Sequence, residues 1–244
     1  MPALIDGAEG DQWKVHTTQQ LGLSQEMVFP DSRRFRYAKA GAVAVVVSKL
    51  YQAPIPKTNH VLQTAVAAAV GLRSLDLALG ATAVAADEYR DGYVVVDLAT
   101  NTGFGHMYQI ATHGAVASSG TFTIPLRSAI NVAISAAANS VSLIPNNYSG
   151  VILAVVTTPT ATLAGVAAAP IPIGQFGWIQ VAGVAKCLGV TPIAASATYC
   201  MVATTTGTVM AQSTTVSATV PNVGQVLQGV VTASYSTINL TYIE

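Results

Sequence analysis

The sequence predicts an all-β protein: β-sandwich or barrel lobes with an extended N-terminal arm and at most short helices. Three observations carry this. Runs rich in Val and Thr with a period of two recur along the chain. Turn signals built on Gly, Pro, Asn and Asp separate them at roughly ten-residue spacing. Charge is confined to the first half, since residues 128–244 hold only Lys186 and Glu244. A soluble domain carries charge at about a quarter of its residues. A half-chain without it must expose hydroxyls and backbone on strands, or bury its surface against copies of itself or a partner.

In chain order, residues 1–32 read as an arm. They are polar and aperiodic, with Trp13, Leu21, Leu23, Met27 and Phe29 as isolated apolar anchors. Such a segment buries too little to order alone and is expected to order against a neighbour. A short helix over 19–28 is the alternative reading. Residues 33–41 alternate Arg33, Arg34 and Arg36 with Phe35 and Tyr37, which suits a strand ending at the Gly41 turn. The run 42–47 reads as a buried strand or a short helix, and Pro54 and Pro56 close the unit. Residues 59–150 are strand-like throughout. Leu72, Leu75, Leu77 and Leu79 frame one strand between Gly71 and Gly80, and residues 85–89 suit a single helical turn before Asp91-Gly92. Residues 93–97 and 105–110 pair around a turn at 101–103, and 121–126 and 141–144 follow. The turn chemistry of 145–150 marks a boundary. Beyond it, strands are expected at 177–185, 198–204, 214–220, 224–231 and 238–243.

Composition excludes several functions. Eleven basic and eleven acidic side chains cancel, so nothing in the charge favours nucleic acid. A neutral chain also lacks the self-repulsion that keeps proteins apart. Mean hydropathy is positive, but the longest apolar runs fall well short of the roughly 20 residues of a spanning helix. The acidic N-terminus has no signal-peptide pattern, and aromatics are too scarce for the girdles of a membrane barrel. Cys187 and Cys200 read as small buried thiols.

No catalytic, cofactor or metal set assembles. His16, His60, His106 and His113 lack nearby ligating partners in sequence. Asp87, Glu88, Asp91 and Asp97 form the one acidic cluster, without the ligand spacing of a calcium loop. Gly103-Phe104-Gly105 opens no helix, so it is not a phosphate loop. The basic stretch Arg33-Arg34-Phe35-Arg36, with Tyr37 and Lys39 after it, is the sharpest local feature. Its guanidinium groups suit carboxylates on a partner protein, a sheet edge, or single-stranded nucleic acid, in that order.

Residues 32–52, SRRFRYAKAGAVAVVVSKLYQ, resemble a group of tailed-phage capsid decoration, or cement, proteins. Gly92-Tyr93 with its valines, residues 143–151 and Gly177-Trp178-Ile179-Gln180 resemble that group too. Ser48 stands where the pattern has glycine. The resemblance implies a β-rich virion protein, made in the host cytoplasm, that binds the major capsid protein on the outside of an icosahedral head. It commonly implies a homotrimer. It further implies one barrel from 33–58 and 151–244, with 59–150 inserted as a second lobe. The expected partner-binding residues are Trp13, Leu21, Phe29, Arg33, Arg34, Arg36 and Tyr37, with no nucleic acid, membrane or cofactor involved. Two alternatives remain: a phage surface or fibre protein binding host glycans through Tyr89, Tyr93, Tyr108 and Tyr148, and a hydrolase using Asp87, Glu88 or His106.

Overall fold

A computed structural model describes residues 4–155, 160–190, 193, 199–212, 221–229, 235–241 and 243. The strand expected at 214–220 lies outside them. The protein is all-β, with a closed five-stranded barrel, a curled sheet and, among the described residues, no helix of seven residues or more. The described strands are β1 (Ile5–Asp6), β2 (Glu26–Val28), β3 (Arg34–Ala40), β4 (Leu50–Gln52), β5 (Gln63–Ala65) and β6 (Ser74–Ala78). Next come β7 (Tyr93–Val96), β8 (Met107–Gln109), β9 (Thr121–Pro125), β10 (Ala137–Ile144) and β11 (Ser149–Leu153). The last are β12 (Leu163–Ala167), β13 (Phe176–Leu188), β14 (Tyr199–Val202), β15 (Val209–Ala211), β16 (Asn222–Gln228) and β17 (Tyr235–Leu240). The chain divides into two compact units, one of residues 1–55 and 147–244 and one of residues 56–146.

In the first unit the order β3-β11-β4-β12-β13 closes on itself, because β13 also pairs with β3. β13 is thirteen residues long. Its first half closes the barrel, and its second half carries a further sheet in the order β17-β16-β14-β15. Two glycines permit this close packing. Gly183, where β13 leaves β3, has φ 83°, and a Cβ there would meet Arg33 Cα at 2.9 Å. Gly165 on β12 has φ 125°, and a Cβ would run into the Gln180 carbonyl oxygen. One apolar cluster fills the unit, from Val45 and Tyr51 to Cys187, Cys200 and Ile238.

The N-terminal segment, expected to order against a neighbour, orders on its own unit instead. β1 lies parallel to β2, β2 lies antiparallel to β3, and no helix forms over 19–28. Leu23, Met27 and Phe29 are buried with Phe35, Tyr37, Phe176 and Trp178 in a second, aromatic cluster. The anchors look isolated in sequence because half of their partners lie on β13, far along the chain. Burying aromatic surface outweighs the entropy of ordering this segment on its own unit.

In the second unit the order is β8-β7-β10-β5-β6-β9. The two edge strands meet at the Ile110–Leu126 bridge, where Ala111 N donates to Pro125 O at 2.8 Å and Arg127 N to Gln109 O at 2.9 Å. Alternation places Leu75, Leu77, Val94, Val96, Phe122 and Ile124 inside.

The valine run 42–47 forms neither strand nor helix. Among the described residues it belongs to a bridge-and-turn unit found at 46–49, 69–72, 85–88, 117–120 and 172–175, each turn closed by a bond from its fourth N–H to its first carbonyl. Each follows a residue in an isolated β-bridge: Val45 with Ile171, Ala68 with Ile134, Val84 with Val116. Each has positive φ at its third residue: Ser48, Gly71, Asp87, Ser119 and Gly174. That is the position at which this kind of turn demands Gly or a small polar residue. The helical turn expected at 85–89 is one of these five.

Candidate interaction surface

The three arginines of the basic stretch are ion-paired within their own unit, and Lys39 lies over the Phe176 ring. Arg33 reaches Glu9 at 2.7 Å and Asp31 at 2.6 Å, and stacks 4.8 Å over the Phe29 ring. Arg34 pairs with Glu26 at 3.1 Å. Arg36 reaches the same carboxylate at 3.6 Å and donates to Ser24 O at 2.9 Å. Bonds from Arg33, then from Gln12, hold the Glu9 carboxyl below its usual range. At Asp31 burial pushes upward, but the bonds from the Arg33 backbone and side chain outweigh it, and the net shift is down. These guanidiniums fasten residues 9–31 to β3. The expectation that they await carboxylates on a partner is replaced by this internal pairing.

The other expected binding residues separate. Phe29 and Tyr37 are buried, with Tyr37 fully enclosed. The Tyr37 hydroxyl lies 3.2 Å from His16 Nδ1 and accepts from Gln20 N at 3.3 Å. Leu21 packs half-buried against the aromatic cluster. Trp13 alone among the apolar anchors stays open, at 57 % exposed. It ends the 3-10 turn Asp11–Trp13. His16, three residues on, bridges Phe176 at the start of β13.

The turn pair joined by Val45 and Ile171 lies at one end of the barrel. Val45 and Ile171 point inward, while Val43, Val46, Val47 and Ile173 are exposed. Two bonds hold the pair: Val45 N to Ile171 O at 2.8 Å and Ile171 N to Val45 O at 3.0 Å. Tyr51, buried below, accepts from Val46 N at 2.6 Å through its hydroxyl. The result is a tip of exposed valine and isoleucine side chains, with Lys49 as the one charged residue of its two turns. Sequence reasoning took these valines for core, and the signal it missed is the apolar-x-x-Ser/Gly pattern shared with 171–174.

The chemistry-bearing residues of the second unit form a framework. His60 Nδ1 lies 2.6 Å from the Tyr89 hydroxyl and Nε2 lies 3.1 Å from Thr82 O. Burial, then the Glu88 charge, pushes the Tyr89 phenol well above its ordinary value. His113 Nε2 accepts from Tyr89 N at 3.0 Å while Nδ1 faces Gly114 O at 2.9 Å, so its proton sits on Nδ1. Asp87 accepts from His113 N at 2.9 Å and pairs with Arg90, and Glu88 pairs with Lys57 at 2.6 Å. Asp91, on a buried side chain, pairs with Arg127. His106 stacks on Tyr108. Of the four tyrosines considered for glycans, Tyr89, Tyr108 and Tyr148 are buried and Tyr93 is exposed. Cys187 and Cys200 are buried free thiols. Burial pushes the Cys200 thiol up to about 11 and Cys187 higher still.

Among the described residues no group of three or more His, Cys, Asp or Glu is placed to hold a metal ion, and no helix is long and apolar enough to cross a membrane. No protein-family model, curated protein or solved structure matches the chain.

Proposed function

We propose that this chain is a capsid decoration protein of a tailed phage. It binds the major capsid protein on the outer surface of the head, associates with copies of itself as a trimer, and stabilises the shell by bridging capsomers. The observation that carries the reading is the apolar tip of the barrel, Val43, Val46, Val47 and Ile173, set on a neutral chain whose arginines pair internally. The likeness of residues 32–52 to cement proteins supports it, since that segment holds β3, the tip and the approach to β4.

A protein that works by contact alone needs surface and rigidity. Each tip contact is small, and many copies on one shell add their contacts as avidity. Trp13 supplies the aromatic anchor typical of an interface hot spot. The tip replaces the buried Phe29 and Tyr37 as the binding element in this reading.

The test is to add the purified chain to heads that lack it and measure co-sedimentation and head survival on heating. Saturable binding and a higher disruption temperature are expected. Val43→Ser with Ile173→Ser weakens binding at least about tenfold, the loss of one to two buried methyl-rich contacts per copy. Heads that take up none of the chain would reject the reading.

A further inference from the structure

The barrel tip holds two cations that its own unit does not pair. Lys39 and Lys49 stand at the two ends of the loop that carries Val43, Val46 and Val47. Lys49 is the fourth residue of the first turn, where its N–H closes on the Val46 carbonyl at 3.4 Å. Lys39 lies opposite Phe176 in register. Its neighbour Ala40 is bonded to the second turn in both directions, Ala40 N to Gln175 O at 2.8 Å and Gly174 N to Ala40 O at 3.3 Å. One half-buried lysine is therefore fixed at the foot of each turn.

Most other cations of this unit are used. Among the described residues Lys14, Arg33, Arg34 and Arg36 each reach a carboxylate. Lys39 and Lys49 reach none. Lys39 has only the Phe176 ring, with its ammonium 5.8 Å from the ring centre. Residues 39–49, 147–153 and 163–176, which build the tip and the strands beneath it, contain no Asp or Glu. Lys186, the third cation without a carboxylate, lies on the second half of β13, away from the two turns.

A knob of aliphatic side chains with a cation at the foot of each turn has a defined complement. Valine is stiff about its one torsion and gives up little freedom on contact, so the apolar part suits a pocket. An ammonium beside that pocket loses water as the surfaces close, and a carboxylate replaces what it loses. A nucleic acid matches the charge but offers no apolar pocket for four aliphatic side chains. An anionic bilayer offers charge and apolar depth, yet it does not select a shape. The tip has a fixed shape, held by the paired bonds of Val45 with Ile171 and by the Tyr51 hydroxyl under Val46. We infer that the tip docks into an apolar pocket bordered by carboxylates on a partner protein. The inference rests on the decoration reading for the identity of that partner, the shell, and adds the chemistry of its site: Asp or Glu side chains within reach of Lys39 and Lys49.

Binding of the intact chain to heads that lack it, measured by co-sedimentation at two salt concentrations, tests this. Wild-type affinity is expected to fall about tenfold between roughly 0.05 and 0.5 M salt. Lys39→Gln and Lys49→Gln each weaken binding about two- to fivefold at low salt, and the double variant loses most of the salt dependence. Lys186→Gln changes neither. Melting curves check that each variant is folded, and the single variants decide if the double variant is not. Wild-type binding that is equal at both salt concentrations overturns the inference, as does a folded double variant that binds like the wild type. In both cases the chain still binds heads, so the decoration reading stands. Heads that take up no chain at either concentration reject the decoration reading and this one with it. Flotation with vesicles of phosphatidylserine and phosphatidylcholine covers the membrane alternative: wild type that floats, and a double variant that does not, assigns the lysines to an anionic bilayer and overturns the carboxylate-bordered pocket.

Discussion

The two units close their sheets differently. In the barrel unit β3 and β13 pair over most of the length of β3, and the buried polar side chains among the described residues, Gln52, Gln180 and Thr208 with them, are uncharged amides and hydroxyls. In the inserted unit the edges of a six-stranded sheet meet at one bridge, Ile110–Leu126. This unit holds buried titratable side chains: His60 on Tyr89, His113 on the Tyr89 amide, Asp91 on Arg127. Where backbone bonds close a sheet, no buried titratable group is needed to hold it. Where one bridge closes it, side-chain hydrogen bonds hold the connecting turns. The titratable residues that look like catalytic candidates in sequence are concentrated in the unit that needs them for this purpose.

Four experiments break or sharpen that contrast. The largest effect is expected from Tyr37→Ala, which empties the aromatic cluster between the N-terminal segment and the barrel. A loss of about 3–5 kcal/mol is expected in denaturant unfolding of the barrel unit, with hydrogen-exchange protection lost first in β1 and β2. Unchanged protection there would mean that the ion pairs alone hold the segment.

Arg127→Ala comes next. It leaves the Asp91 carboxylate, 2 % exposed, without its ion-pair partner. Arg127 itself is 44 % exposed, so screening reduces the cost to about 2–3 kcal/mol, read as a lower melting temperature of the inserted unit. If side chains do close this unit, Arg127→Ala hurts it more than any single surface ion pair hurts the barrel unit.

Tyr89→Phe removes the hydroxyl that meets His60 Nδ1. A buried ring nitrogen without its partner costs about 1–2 kcal/mol, measurable as a shift in the denaturant midpoint with an unchanged slope. A neutral result would remove His60 from the framework.

Acid and salt give the smallest effect. The Glu9 and Asp31 carboxyls, held down in the folded state by Arg33, add stability that is complete above their unfolded values. That stability is lost as pH falls through the lowered folded values, so the N-terminal segment loosens on the acid side. Asp11, lowered by Lys14 and then by Ala8 N, acts in the same direction. These groups are exposed, and high salt at neutral pH weakens the same contacts. Protease cleavage within residues 9–31 at low pH and at neutral pH with added salt measures both. Cleavage insensitive to either would assign the docking to the aromatic cluster alone.

Much of the fold is written in local pattern. The alternation of Tyr93 to Val96, the turn at Asn101 and the Gly/Pro spacing specify strands and hairpins, because a strand's two faces are read off a period of two. The valines of 42–47 show the limit. Hydropathy reads them as core, yet only Val45 of this run is buried, because its bridge to Ile171 rotates Val43, Val46 and Val47 outward. Ser48, Asp87 and Ser119 mark the same turn as Gly71 and Gly174, and the repeat is visible only once their shared left-handed backbone is seen.

By itself the sequence determined that this protein is all-β, because β-branched alternation and turn residues act over a few positions and need no distant partner. The tertiary structure decided which apolar residues are covered. Phe29 and Tyr37 are core because Phe176 and Trp178 come back along β13 to meet them, while Ile144 and Met107 stay open because nothing within their own unit covers them. Burial is a property of what packs against a residue, and in a sheet protein those neighbours come from strands far apart in the chain.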